Sequence, residues 1–234
     1  MGGHGTTLGG IIVDSGKFPW KDARSTLPDV QPSRTPRITA WSTPNISRRR
    51  RTSRAAAAST SERPAPCLSP LSAFLLLQGI ETVALRVERH VENARRVAEF
   101  LRNDRRVEWV NYAGFPDNPY HSLAQKYLGR RACSLMTFGI KGGFEAGKKF
   151  YDALQLFKRL VNLGDAKSLA CHPASTTHRQ MSVEEQKKAG VSPEAIRLSV
   201  GIEHVDDLIV DLDQALDATG SDHRSMVAAE SRLR

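Results

Sequence analysis

The sequence predicts an α/β or α+β domain in which helices cover a sheet. Three observations predict it. From Leu68 onward, short alternating apolar segments take turns with helix-period segments. The connections between them are only a few residues long. Glycine turns bound two of the strand readings, on both sides of Ile11–Val13 and after VEWVNY. With 234 residues, 40% of them hydrophobic, the chain can bury a sizeable core.

The elements follow in chain order. GGIIVDSG reads as a short strand, Ile11–Val13, between glycine turns. SPLSAFLLLQGIETVALRVERHVENARRVAEFLRN reads as one long helix, with Ser69 as N-cap and Pro70 in the first turn. Its expected apolar side holds Leu75, Ile80, Val83, Leu85, Val87, Val91, Val97 and Leu101. VEWVNYAG then reads as a strand and turn, PYHSLAQKYL as a helix and SLMTFGIKGG as a strand. FEAGKKFYDALQLFKRL reads as a helix, KSLACH as a short strand and VEEQKKAG as a short helix. IRLSVGI and VDDLIVDLDQAL close the series as a strand and a helix.

Four zones result: a Gly-rich start at 1–20, a segment at 21–66 of Pro, Ser, Thr and Arg, the periodic part at 67–218, and a loose tail at 219–234. The composition of 21–66 is that of a disordered or linker segment. The net charge of +9 invites a nucleic-acid reading through Arg48–Arg51. Nine arginines between Arg24 and Pro66, set against Asp29 and Glu62, place +7 of that charge in the odd segment. No aromatic platform accompanies them, which argues against a nucleic-acid partner. The longest apolar run, Ala73–Leu77, is too short to span a bilayer, and the N-terminus lacks the pattern of a signal peptide. Cys67, Cys133 and Cys171 are widely spaced, a sparse odd set that fits a reducing cytoplasm.

Two places invite chemistry. Arg197 lies in AIRLSVGIE, which alternates like a strand; its fork suits a carboxylate bidentately, or a structural ion pair with a nearby acid. NLGDAKSLACHPASTTH, Asn162–His178, is dense in small polar groups, with Gly164 for a tight turn and Asn162, Ser168, Ser175, Thr176 and Thr177 as neutral donors. It suits a polar small molecule, or simply a well-capped connection. His172 and His178 have no third ligand near them in sequence, so no metal site is expected. GGHGTTLGG matches neither GxGxxG nor a Walker loop.

The segments GGHGTTLGGIIVDSGKFPW, LSPLSAFLLLQGIETVALRVERHVENA, NLGDAKSLACHPASTTH and RLSVGIE together resemble the Cys/Met-metabolism enzymes that use pyridoxal phosphate. GFPDNPYHSLAQKYL and the NLGDAKSL form of the loop look more like the O-acetylhomoserine sulfhydrylases than the cystathionine γ-synthase or γ-lyase types, which remain the alternative within the family. The resemblance implies the C-terminal α+β domain of a fold type I pyridoxal-phosphate transferase. Residues 1–20 would be a remnant of the large cofactor domain, and 67–218 the connecting helix and substrate domain. It implies PLP-dependent γ-replacement in methionine biosynthesis, O-acetylhomoserine plus sulfide or a thiol giving homocysteine or methionine plus acetate, in a homo-oligomer. Arg197 matches the arginine that clamps the substrate α-carboxylate, and Asn162 and Thr177 match positions beside it.

The sequence also departs from the family. The Schiff-base lysine sits there in Ser-x-Thr-Lys just before GGHG, whereas Met1 precedes Gly2 here, and neither Lys17 nor Lys21 has that context. The phosphate-binding glycines, the phosphate-side tyrosines and the aspartate for the pyridine nitrogen are missing in the same way. No catalytic or cofactor-binding residue is therefore assigned, and a truncated, inactive form is expected. Residues 21–66 fit a second expectation, a compensated pair of frameshifts entering within 22–37 and leaving near Cys67. Ile38–Ser47 can be encoded so that a one-base shift reads Tyr-His-Gly-Val-Val-Tyr-Thr-Glu-His-Phe, a pattern that family members carry between the two blocks. Trp41 has one codon, which with a TC start for Ser42 forces valine in the shifted frame; Ala58 does not give the valine expected at its place.

Overall fold

A computed structural model describes residues 1–10, 68–129 and 131–220. The strand expected at Ile11–Val13, the segment 21–66 with Arg48–Arg51, and the tail beyond Gly220 lie outside the described residues. The chain divides into two units, Leu8–Phe74 and the remainder. In the first, Ser69 caps its helix as expected: its hydroxyl accepts from Ser72 N at 3.0 Å, and Pro70 takes the first position.

The other unit is built on a five-stranded sheet: β1 (Val107–Asn111), β2 (Leu135–Ile140), β3 (Lys158–Arg159), β4 (Leu169–Cys171) and β5 (Ala195–Ser199). The order is β1-β2-β5-β4-β3, antiparallel except for the β3/β4 pair. The helices are α1 (Pro70–Glu81), α2 (Val83–Asn103), α3 (His121–Leu128), α4 (Gly143–Ala153), α5 (Val183–Lys188) and α6 (Val205–Asp217). One face of the sheet is the core. Met136, Phe138 and Ile140 of β2 and Ile196 and Leu198 of β5 alternate onto it and meet Val97 and Leu101 of α2, Phe150 of α4, and Leu208 and Leu212 of α6. The Phe138 and Phe150 rings meet edge to face at 5.6 Å.

The mixed helix–sheet architecture and the register of elements agree with the sequence, with three corrections. The long helix is two, bent by 60° at Thr82. Gly79 does not pass its carbonyl up the helix alone: Arg86 Nη2 donates to Gly79 O at 2.8 Å, and Arg86 Nη1 donates to the Thr82 hydroxyl. Gly79 also packs so close to Gly2 that a Cβ there would stand 2.5 Å from Gly2 O, which only glycine allows.

Second, the inward side of α2 is not the apolar set expected. Leu85 is 70% and Val87 46% exposed, whereas Arg86, His90 and Asn93 are buried beside Val97 and Leu101. Third, α4 ends at Ala153 rather than running to Leu160. Asp211 of α6 takes the backbone N–H groups of Gln155, Leu156 and Phe157, each at 2.9 Å, so those donors have a side-chain acceptor in place of helical carbonyls.

At the opposite end of the sheet, Arg106 gathers Asp104 at 2.6 Å, Asp213 at 2.5 Å and Asp217 at 2.6 Å, tying β1 to α6. The hydrogen bonds from Arg106 hold the Asp104 carboxyl below its ordinary range. Among the described residues no single helix is long and apolar enough to cross a membrane.

Candidate functional site

The register of the sheet assembles the candidate site. Thr137 of β2 stands opposite Arg197 of β5, and Cys171 of β4 stands opposite Arg197 on its other side. Directly paired residues share a face. The next row, Leu135, Ser199 and Leu169, lies on the same face by the two-residue period. This is the face away from α2, α4 and α6. Arg197 sits at the middle of it, on the central strand and half-buried. It forms no ion pair with a carboxylate among the described residues; its Nη2 donates to the backbone carbonyl of Asn162 at 3.2 Å. The acids on either side of it in sequence are occupied elsewhere: Glu194 accepts from Trp109 Nε1 at 3.1 Å, and Glu203 from Ser168.

The loop that brings Asn162 there is pinned at two points. Gly164 adopts φ +70°, the left-handed turn that favours glycine, and its N–H donates to the Ser199 hydroxyl at 3.1 Å. Further along, Ser168 N donates to Glu203 Oε1 at 2.7 Å and the Ser168 hydroxyl to Glu203 Oε2 at 2.9 Å. The same hydroxyl accepts from Gly201 N at 2.7 Å. A Cβ at Gly201 would stand 2.5 Å from both Ala166 O and Ser168 N, so the close approach of loop and strand requires glycine. The polar face of α2 completes the lock. His90 Nδ1 donates to Val200 O at 2.7 Å, and Asn93 Nδ2 donates to Gly201 O and Glu203 O at 3.0 and 2.8 Å. Each buried polar side chain in this knot, His90, Asn93 and Ser168, makes at least one hydrogen bond, which is what makes burying it tolerable.

The second half of the loop folds back over Cys171. Thr176 Oγ1 lies 3.3 Å from Cys171 Sγ and donates to His172 O at 2.7 Å. His172 is fully buried. Its Nε2 donates to Pro193 O at 2.8 Å, which leaves Nδ1 to accept from the Ser175 hydroxyl at 2.8 Å. Burial holds its pKa below the ordinary value of 6.5, so the imidazole is neutral and serves as a structural pin.

Of the three residues read from the sequence, Arg197 and Asn162 meet. They do so through the Asn162 carbonyl, while the Asn162 side chain accepts from Leu163 N at 2.9 Å. Thr177 is exposed and bonds to His178 Nδ1 at 2.8 Å; its neighbour Thr176 is the one turned toward the Arg197 row. Ser199 and Cys171 are further members of that face. Sequence reasoning missed both; the two-residue period from Arg197 was the signal that could have found Ser199, but Cys171 is paired by a register that only the folded sheet reveals. Among the described residues no group of side chains has the makings of a metal site.

The described residues do not fit pyridoxal phosphate. Its aldehyde needs a lysine amine in a water-excluding site. Every lysine among the described residues is exposed. The GGHG turn is not an open cradle for a phosphate either. Arg86 packs against Gly3, its Nε 2.8 Å from where a Cβ would stand, and donates to Met1 O at 2.8 Å, while Gly3 O accepts from Ala166 N at 2.8 Å.

Comparison with known proteins finds relatives on both sequence and structure. A family model described as Cys/Met metabolism PLP-dependent enzyme matches residues 1–217. The chain is 45% identical over 219 residues to O-acetyl-L-homoserine sulfhydrylase 1 of Thermus thermophilus, across 92% of this chain and 51% of that protein. It is 43% identical over 220 residues to the homocysteine synthase of Schizosaccharomyces pombe, across 93% and 50%. A Campylobacter jejuni structure described as an O-acetylhomoserine (thiol)-lyase with a pyridoxyl-lysine phosphate superposes with a TM-score of 0.64. Its identity to this chain is 42%, across 77% of this chain and 41% of that one. The chain thus spans about half the length of the curated relatives it matches.

Proposed function

We propose, for a chain that belongs to the Cys/Met-metabolism PLP-dependent enzymes, that its described residues form the carboxylate-reading half of an O-acetylhomoserine sulfhydrylase site. The reaction served is γ-replacement, in which sulfide or a thiol displaces acetate from O-acetylhomoserine. The observation that carries the reading is Arg197. A guanidinium on the central strand, unpaired with any carboxylate among the described residues and held at one edge by a backbone carbonyl, keeps its other N–H groups available. A planar fork in that state suits a substrate α-carboxylate bidentately. Asn162 orients the fork, and Thr137, opposite Arg197, offers a hydroxyl beside it.

Recognition, rather than bond-making, is the task of these residues. The electron sink and the imine-forming lysine that γ-replacement needs are not supplied by them. The sulfhydrylase type is preferred to the cystathionine γ-synthase and γ-lyase types because the relatives above carry the former names.

Titrating the full chain with O-acetyl-L-homoserine, followed by NMR, tests the reading. Saturable binding is expected, weakened roughly tenfold or more in Arg197→Lys, because a point charge does not replace the fork. The methyl ester of the same amino acid should not bind. Equal affinity for acid and ester, or for wild type and Arg197→Lys, would overturn the assignment.

A further inference from the structure

We infer that Ser199 is a positioning residue for this site: its hydroxyl fixes the turn at Gly164 so that the Asn162 carbonyl holds the Arg197 guanidinium in its carboxylate-receiving pose. The inference rests on the reading of Arg197 given above and adds a residue that the sequence motifs did not single out.

The chain of contacts is short and closed. Arg197 and Ser199 are two residues apart on β5 and share a face. Ser199 is 2% exposed, so its hydroxyl has no water to fall back on. It accepts from Gly164 N at 3.1 Å. Two residues before Gly164, the Asn162 carbonyl accepts from Arg197 Nη2 at 3.2 Å. The loop therefore meets β5 first at Arg197, through Asn162, and then at Ser199, through the left-handed Gly164. The Asn162 side chain does not compete for Arg197, because its oxygen is taken by Leu163 N.

Backbone bonds flank this stretch without reaching it: Leu160 N donates to Ala170 O at 3.2 Å before it, and Ile202 N donates to Ala166 O at 2.9 Å after it, so among the described residues Ser199 is the side chain that fixes the corner between them. The second pin, Ser168 to Glu203 and Gly201, anchors the far end. Leu160, Val161 and Leu163 are exposed, at 53%, 51% and 65%, so apolar packing gives the near end little support. The Ser199 hydroxyl thus sets the corner from which the Asn162 carbonyl reaches the guanidinium. A held guanidinium loses less freedom when a carboxylate arrives, so the effect belongs to affinity through pre-organisation.

The test uses the full chain with nitrogen-15-labelled arginine, read by the Arg197 side-chain NMR signals and by O-acetyl-L-homoserine titration. In Ser199→Ala, rotation of the Arg197 guanidinium should quicken and its Nε signal shift. The dissociation constant should rise roughly three- to tenfold, the worth of about one hydrogen bond. The melting temperature should fall by only a few degrees, because the half-buried Gly164 N–H regains water. Ser199→Thr, which keeps a hydroxyl on a residue suited to a strand, should restore rotation and affinity together. In the wild-type chain, the Gly164 amide should be protected from hydrogen exchange.

Unchanged Arg197 rotation in Ser199→Ala overturns the inference whether or not any ligand binds. So does a Gly164 amide that exchanges freely in wild type, a result that needs no variant to fold. Quickened rotation without binding of O-acetyl-L-homoserine by wild type supports the coupling of Ser199 to Arg197 and instead overturns the carboxylate reading.

Discussion

Replacing Asp211 with alanine should remove the device that ends α4. The carboxylate is 5% exposed. Its Oδ1 accepts from Gln155 N at 2.9 Å and Gln214 Nε2 at 3.0 Å, and its Oδ2 accepts from Leu156 N and Phe157 N at 2.9 Å. Alanine leaves three backbone donors without an acceptor, one of them, at Phe157, in a buried bond. A hydrogen bond to a charged group contributes about 1.5–3 kcal/mol, and an orphaned buried donor costs about 1–3 kcal/mol. Water can reach the Gln155 and Leu156 groups in part, and the three losses share one carboxylate, so the sum is reduced to about 3–5 kcal/mol. Urea unfolding of the full chain, followed by circular dichroism, should show the midpoint falling by about 2 M at an unchanged slope of about 2 kcal/mol/M. Asp211→Asn keeps the shape and one acceptor oxygen and should lose about half as much. A loss below about 1 kcal/mol for alanine would refute the argument that this carboxylate terminates the helix.

Three further outcomes are expected. Gly201→Ala should destabilise by about 1–3 kcal/mol and loosen the loop at 162–168, seen as faster exchange of the Ser168 amide, because its Cβ has no room against Ala166 O and Ser168 N. His172 binds its proton less readily folded than unfolded, since burial depresses its pKa below 6.5. Its contribution is therefore complete above pH 6.5 and lost as pH falls below that value, where the unfolded chain takes up a proton that the fold resists. The urea midpoint of wild type should drop between pH 6.5 and 5, and His172→Gln should flatten that drop; Asp104, already below 3.8, acts only at much lower pH. Resequencing the gene should show two compensating frame shifts flanking residues 37–66, and a continuous frame expressed as written would sink that idea.

Much of the fold was legible because period and burial coincide in this chain. Alternation in LMTFGI and AIRLS placed β2 and β5, and their inward residues are the core. The failures share one physical cause, side chains competing for backbone groups. Thr82 breaks a helix whose local sequence is helical throughout, because Arg86 claims the Gly79 carbonyl and the Thr82 hydroxyl. Leu154 to Leu160 leaves the helical path because Asp211, far along the chain, takes its N–H groups. The buried face of α2 was misjudged because Arg86, His90 and Asn93 look like surface residues until their carbonyl partners are known. In the candidate site, the strand pattern of AIRLS left Arg197 open between a carboxylate clamp and a structural ion pair, and the family resemblance selected the clamp. Thr176 rather than Thr177 faces its row, a choice set by a tight turn that spacing alone does not resolve.

The place of β5 has a consequence for how the chain is made. Among the described residues it is the last strand in sequence yet the middle one in space, entering between β2 and β4. Until Ser199 has left the ribosome, both neighbours present unpaired edges, which invite association with other chains. Closing the sheet then requires contacts far apart in sequence, a slow kind of folding. The strand that closes the sheet is also the one that carries Arg197. A chain cannot close this sheet and still lack the guanidinium on its central strand, so completing the sheet and placing the candidate site's arginine are a single event.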